Sequence, residues 1–131
     1  MTRPELAVGA VCTHLEQLLL VRRGRGAAQG QWSVPGGRVE WGETLHEAVV
    51  RETGEETGLE VVVDRYLGWV ERIADPYHYV ILDFAVTALD PAPRPVAGDD
   101  AAEVAWVAFA DVSDVPLVSG LYEFLRDVGV W

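Results

Sequence analysis

The sequence predicts an α/β fold, a sandwich in which helices cover a mixed β-sheet. Two observations carry this. Apolar runs of strand length, rich in Val, Ile, Leu and Tyr, recur along the chain, and only two stretches, 43–57 and 117–128, have helical periodicity. With no internal repeat and no linker-like segment between these elements, the 131 residues are expected to form one domain, 1–131, around one sizeable core.

Residues 5–14 and 17–22 are the first two strand-like runs, and Leu15-Glu16 is short enough to join them as a hairpin. Residues 24–31, Gly-Arg-Gly-Ala-Ala-Gln-Gly-Gln, read as a loop. Trp32-Ser33-Val34 is then a short strand that enters a tight turn at Pro35-Gly36-Gly37. Pro35 disfavours helix, and the two glycines permit either positive φ or close backbone approach. In the helix at 43–57, Leu45, Ala48, Val49 and Thr53 make one buried stripe, and Glu47 and Arg51 stand at i, i+4 as a pair. Gly58 is the expected left-handed C-cap. Gly54, costly inside a helix by about 1 kcal/mol against alanine, implies a close approach beside Glu55. Strands follow at 59–73 and 77–89 around an Asp75-Pro76 turn, then a Pro-rich loop at 90–100 and a strand at 103–109. The closing helix, 117–128, would turn Leu117, Leu121, Phe124, Leu125 and Val128 inward.

Half of the residues are hydrophobic and 24% are charged, as in a soluble globular protein. No apolar run approaches the roughly 20 residues of a membrane span, and the N-terminal Met-Thr-Arg-Pro-Glu lacks a charged-then-apolar leader pattern. The single cysteine, Cys12, sits in an apolar strand and reads as packing. These features point to the cytoplasm. Ten basic against 21 acidic residues, a net charge of −11, argue against a nucleic-acid duplex as partner. A small anionic substrate is still compatible, because a metal ion inverts the local field of an acidic site.

The most informative segment is Gly37 to Leu59. Glu52, Glu55 and Glu56 fall at i, i+3 and i+4, so their carboxylates share one helix face and repel one another. A helix accepts this only with positive charge among them. Hard oxygen donors clustered in this way suit Mg²⁺ or Mn²⁺, with water and a substrate phosphate completing the shell.

The segment matches Gly-x5-Glu-x7-Arg-Glu-U-x-Glu-Glu-x-Gly-U, with Gly37, Glu43, Arg51, Glu52, Glu55, Glu56 and Gly58 at every fixed position and Leu59 at the second aliphatic one. Thr53 departs from the first aliphatic position without touching a candidate ligand. This is the Nudix box, and the chain resembles the Nudix hydrolase family. Gly30-Gln31-Trp32-Ser33-Val34-Pro35-Gly36-Gly37 before the box and Glu103-Val104-Ala105-Trp106-Val107 after it look like the family too.

The resemblance implies a Nudix-type α/β/α sandwich with a mixed β-sheet and hydrolysis of a diphosphate bond in a nucleoside diphosphate linked to another moiety. It implies Mg²⁺ (or Mn²⁺) held by Glu52, Glu55 and Glu56 with the carbonyl of Gly37. Arg51 would orient the glutamates, and Glu43 would stand at the helix start, where a carboxylate suits the dipole. Water would attack phosphorus with a carboxylate as base; Glu55, Glu56, Glu103 and Asp100 are the candidates, with Glu103 the more favoured of the last two. Arg22 and Arg23 are candidate phosphate contacts, against a reading as solvent-facing charges at a strand end. Trp32 and Trp69 are candidates for stacking on a base, against ordinary core packing. Tyr77, His78 and Tyr79 read mainly as exposed strand, and His46 as surface.

Substrate class is less well marked. Leu19-Leu20-Val21-Arg22-Arg23 diverges from the coenzyme A pattern, and the presence of Glu56 argues against the GDP-mannose class. Pro76, 17 residues past Leu59, resembles the proline of ADP-ribose members; Tyr77, at 18, resembles the tyrosine of dinucleoside-polyphosphate members. The expectation is ADP-ribose, a nucleotide sugar or a (d)NTP. The alternative is a non-catalytic nucleotide-binding sensor on the same fold. Family members are often dimers, so a homodimer is also expected.

Overall fold

The computed structural model describes residues 3–26, 28–98 and 100–131. Met1 and Thr2, which belong to the leader reading, lie outside the described residues, as do Ala27 and Asp99 in the two predicted loops. Strand β1 (Glu5–His14) is the axis of the fold. On one side it pairs in parallel with β6 (Tyr77–Ala88), and β6 pairs antiparallel with β5 (Val61–Ala74). On the other side β1 is shared. Its first half pairs with β4 (Gly36–Arg38) and its end with β2 (Gln17–Arg23), both antiparallel. Strand β2 in turn carries β3 (Trp32–Ser33) and β7 (Ala101–Ala108). One parallel pairing among antiparallel ones makes the sheet mixed, as the sequence predicts.

Alternation of side chains along each strand builds two cores. Val8, Ala10 and Cys12 of β1 point to one face and pack with Ala48 and Val49 of helix α1 (Leu45–Thr57). Val11 of β1 and Leu18 and Leu20 of β2 point to the other face, where they meet Leu121 and Leu125 of α2 (Leu121–Asp127). A helix on each face completes an α/β/α sandwich. Cys12 is buried packing. Burial raises its thiol pKa to about 11, which keeps it protonated. No described helix is long and apolar enough to cross a membrane.

Four local expectations are corrected. Gly36 and Gly37 do not turn; they are strand residues paired with Gly9 and Val8. Their use is close approach, since a Cβ on Gly36 would overlap the Val8 carbonyl. Glu47 does not pair with Arg51. It closes a capping box with the N-cap Thr44, giving reciprocal bonds of 2.9 and 3.1 Å. Among the described residues nothing comes closer to a Cβ on Gly54 than the Leu59 carbonyl, at an ordinary 3.9 Å. The glycine that admits a neighbour beside Glu55 is Gly98, where a Cβ would run into the Glu55 carbonyl. Finally, the last helix begins at Leu121 rather than 117. Leu117 instead bridges to Trp32, held by the Trp32 N–H on the Pro116 carbonyl and the Val118 N–H on the Trp32 carbonyl. A 3₁₀ helix (Phe109–Asp114) precedes that segment.

Candidate active site

Helix α1 is fixed at both ends. Its C-cap is Gly58 at φ 73°, donating to the Gly54 carbonyl. The loop before β7 then docks on the last turn, with Gly98 N–H on the Glu56 carbonyl (3.0 Å) and Val96 N–H on the Thr57 carbonyl (2.8 Å). Inside the helix, Thr53 is fully buried and its hydroxyl donates to the Val49 carbonyl at 2.7 Å. The departure from the aliphatic position is thus satisfied internally. This rigid helix lays its acidic face over β4.

Arg51 organises that face. Its Nε and Nη2 donate to the two carboxylate oxygens of Glu43 at 2.6 and 2.9 Å, a bidentate pair. Its Nη1 donates to Glu52 (2.7 Å) and Glu55 (3.1 Å), and Nη2 also reaches the Arg38 carbonyl (3.0 Å). Glu43 stands just before the N-cap, as expected near the helix start, but its partners are Arg51 and the Glu40 N–H. The Arg51 hydrogen bonds, then the Glu40 backbone, pull its carboxyl down to about 2.

Glu52 and Glu56 are placed differently. Glu52 lies against Gly37, where any Cβ would collide with its carboxylate. Burial, opposed by Arg51 and assisted by Glu55 and Glu40, raises its pKa. Glu56 is buried and accepts a 2.7 Å bond from the Gly36 N–H. Burial, with repulsion from Glu52 and attraction to Arg23 as smaller effects, pushes it up to about 7. Both line a cavity of about 880 Å³ together with Gly36, Gly37, Arg23 and Asp100. That volume suits a nucleotide-sized ligand.

The donor set fits a hard divalent cation: carboxylates on adjoining helical turns beside the Gly37 backbone, under-neutralised by one guanidinium. Among the described residues no three acidic, histidine or cysteine side chains converge on one point as they stand. Glu52 and Glu55 are turned to Arg51, and Glu56 to Gly36.

The other sequence candidates divide. Arg23 lines the cavity. Arg22 does not: in register with Glu103 across β2 and β7, it bonds that carboxylate at 2.9 Å through Nε and 2.7 Å through Nη2. Glu103 is thereby held on the outer strand pair, also away from the cavity lining. Trp32 packs with the α2-side core rather than the cavity. Trp69 is exposed on β5, outside the lining. Tyr77 and Tyr79 stack at 5.9 Å and do line it, while His78 pairs with Glu71 at 3.3 Å. His46 is exposed, as expected, and the edge of its ring meets Phe84 at 5.3 Å.

The sequence reading missed Asp83 and Arg72. Asp83 is 3% exposed and lines the same cavity as Glu52 and Glu56. Its signal was present, as the only acidic residue in the run Tyr77–Ala88.

Comparison with known proteins agrees with this geometry. The family model described as NUDIX domain matches residues 3–128. An ADP-ribose pyrophosphatase of Methanocaldococcus jannaschii is 35% identical over 98% of this chain and 75% of its own length. A putative 8-oxo-dGTP diphosphatase of Mycobacterium tuberculosis is 33% identical over 76% of this chain and 69% of its own. The crystal structure of a MutT NUDIX hydrolase from Burkholderia pseudomallei superposes with a TM-score of 0.79 at 28% identity, covering 95% of this chain and 97% of that one. The match of the family model to residues 3–128, on a chain whose box acids Glu43, Glu52 and Glu55 are gathered by Arg51 beside Glu56, makes the chain a member of the Nudix hydrolase family.

Proposed function

We propose that the chain is a divalent-metal-dependent pyrophosphohydrolase. It cleaves the diphosphate bond of a nucleoside diphosphate linked to another moiety by attack of water on phosphorus. The observation that carries this is the pairing of Glu52 and Glu56 with bare Gly36-Gly37 backbone at one end of a nucleotide-sized cavity. Glu52, Glu55 and Glu56, with the Gly37 carbonyl, would hold Mg²⁺ or Mn²⁺. When bound, the cation supplies positive charge for the phosphate oxygens and an acidified water.

The remaining work falls to the chain. Arg51 keeps Glu52 and Glu55 in place through its anchor on Glu43. Arg23 adds positive charge on the cavity wall. The base is assigned to the cluster itself, Glu55 or Glu56, because Glu103 is engaged by Arg22 outside the cavity and Asp100, although it lines the cavity, is paired with Arg25. ADP-ribose, a nucleotide sugar or a (d)NTP is the substrate class, supported by the names of the two relatives above. Retention of every box carboxylate favours a hydrolase over a sensor.

The test is turnover with Mg²⁺ and with Mn²⁺ against ADP-ribose, nucleotide sugars, dinucleoside polyphosphates and normal and oxidised (d)NTPs. Glu55→Gln and Glu56→Gln should each lower kcat on the best substrate by about 10²-fold or more, with an unchanged circular dichroism spectrum. Full activity in both variants would overturn the metal and base assignments.

A further inference from the structure

One row of residues crosses four strands of the sheet. Gly36 of β4 pairs with Gly9 of β1, Gly9 with Asp83 of β6, and Asp83 with Gly68 of β5. Asp83 is thus the one residue of the row with a side chain, and glycines stand beside it on both neighbouring strands. At Gly9 the missing Cβ is required, because it would collide with the Asp83 carboxylate. Space for this carboxyl group is thus made on the Gly9 side, whereas a Cβ on Gly68 would meet the Phe124 ring.

Among the described residues the carboxyl group itself has no partner. No hydrogen bond or ion pair from a described residue reaches it, although Asp83 is 3% exposed. Buried carboxylates ordinarily accept several hydrogen bonds, and an exception calls for a reason. No described side-chain oxygen or nitrogen that is sealed from solvent lacks a partner, so the Asp83 carboxyl keeps an opening onto the cavity it lines. Burial raises its pKa to about 7, against the attraction of Arg72. Arg72 lines the same cavity and uses Nη1 on the Ser119 carbonyl at 3.0 Å. It lies beyond ion-pair distance of Asp83, so the two opposite charges do not quench each other.

The row also sets a length. Two strand spacings separate the backbones of Asp83 and Gly36, roughly 10 Å, and Gly36 donates to Glu56. That is about the span from a nucleobase to the diphosphate of the same nucleotide. Nothing in the proposed hydrolysis uses Asp83 or Arg72.

We propose that Asp83 and Arg72 are the specificity-determining pair of this site, reading the edge of a guanine-type base. Such an edge presents two parallel N–H donors beside a carbonyl. Both oxygens of Asp83 accept, from the ring N–H and the 2-amino group, while Arg72 donates to the carbonyl. A carboxylate that receives nothing from the protein is complementary to two adjacent donors, and among the common bases guanine offers them. This rests on the reading of the glutamate end as the diphosphate site.

The experiment compares guanine, hypoxanthine and adenine versions of one substrate, in the wild type and in Asp83→Asn. Hypoxanthine differs from guanine only by the 2-amino group. The wild type should favour guanine over hypoxanthine in KM on the order of 10- to 100-fold. Asp83→Asn should reduce that preference to a few-fold. Calorimetric binding of GMP, IMP and AMP without turnover gives the same ranking independently of chemistry. Selective GMP binding without turnover would sink the hydrolase reading and uphold this one. Turnover with no guanine preference in the wild type, or with an equal preference in Asp83→Asn, would overturn the assignment of the pair.

Discussion

Replacing Asp83 by asparagine should make the stability of the protein less sensitive to pH, by an amount the structure allows one to work out. In the unfolded chain Asp83 ionises near 3.8, while in the folded protein burial holds its proton up to about 7. Between those values the folded state binds more protons than the unfolded state, so stability falls as pH rises. Holding the proton up to about 7 instead of 3.8 corresponds to about 4 kcal/mol in all. Between pH 5.5 and 8, where the folded state gives up that proton, about 2 kcal/mol is lost. Asparagine has nearly the same shape and no proton to lose. Glu52 and Glu56 also titrate abnormally, but they do so in both proteins and cancel in the difference. Urea denaturation of each protein at pH 5.5, 6.5, 7.5 and 8 supplies the free energies. The variant should gain about 2 kcal/mol on the wild type across the series, whatever the offset at the acid end. Parallel profiles would show that Asp83 is ionised throughout, and the argument from its burial would fail.

Three further outcomes are expected. Arg51→Lys keeps the charge but cannot reproduce the bidentate bond to Glu43 while also reaching Glu52, Glu55 and the Arg38 carbonyl; turnover should fall on the order of 10- to 100-fold, measured at saturating Mg²⁺. Gly98→Ala should push the loop before β7 off the end of α1 and lose the bonds to the Glu56 and Thr57 carbonyls, costing about 2 kcal/mol as read by a lower Tm. Thr44→Ala opens the capping box and should cost about 1 kcal/mol in urea unfolding, with little effect on KM because Thr44 does not line the cavity.

Much of this was legible in the residues. The strand pair 5–14 and 17–22 and the helix stripe through Ala48, Val49 and Thr53 follow from local periodicity, and each is found in the cores. The Nudix box was legible because its chemistry is concentrated within 23 contiguous residues, a strand end, a loop and one helix. What escaped depends on pairing between distant segments. The Pro35-Gly36-Gly37 stretch looks like a turn to any local rule, yet β1 recruits it as a strand. Glu47 and Arg51 have ideal helical spacing, but Thr44 and Glu43 compete for them and win by geometry. Arg22 and Glu103 are neighbours only because β2 lies beside β7. Asp83 was visible as a lone acid in an apolar run. Its meaning required knowing that Gly9 and Gly68 would flank it, which is a property of register rather than of sequence distance.

The acids of the site fall into two groups with opposite electrostatic fates. Glu43 takes two hydrogen bonds from Arg51 and one from Glu40, and its carboxyl is held far down. Glu52 and Glu56, a few ångströms of helix away, are pushed up by burial, with Glu55 and Glu40 adding to the effect on Glu52 and Glu52 to that on Glu56. Had the helix been selected for stability alone, the single guanidinium would be shared so as to relieve the most buried acid. Instead it is spent mainly on Glu43, an acid outside the cavity lining, and among the described residues Glu56 accepts a hydrogen bond only from the Gly36 N–H. Arg51 therefore acts as a splint anchored at Glu43, and the charge deficit is left where the cavity begins. A deficit so placed is relieved by a cation bound from solution and not by the fold. The same economy recurs at the other end of the row, where glycines flank Asp83 and no described residue pairs with it. In both places the chain holds a carboxylate out of water without completing its shell, and the space between the two is about the length of a nucleotide.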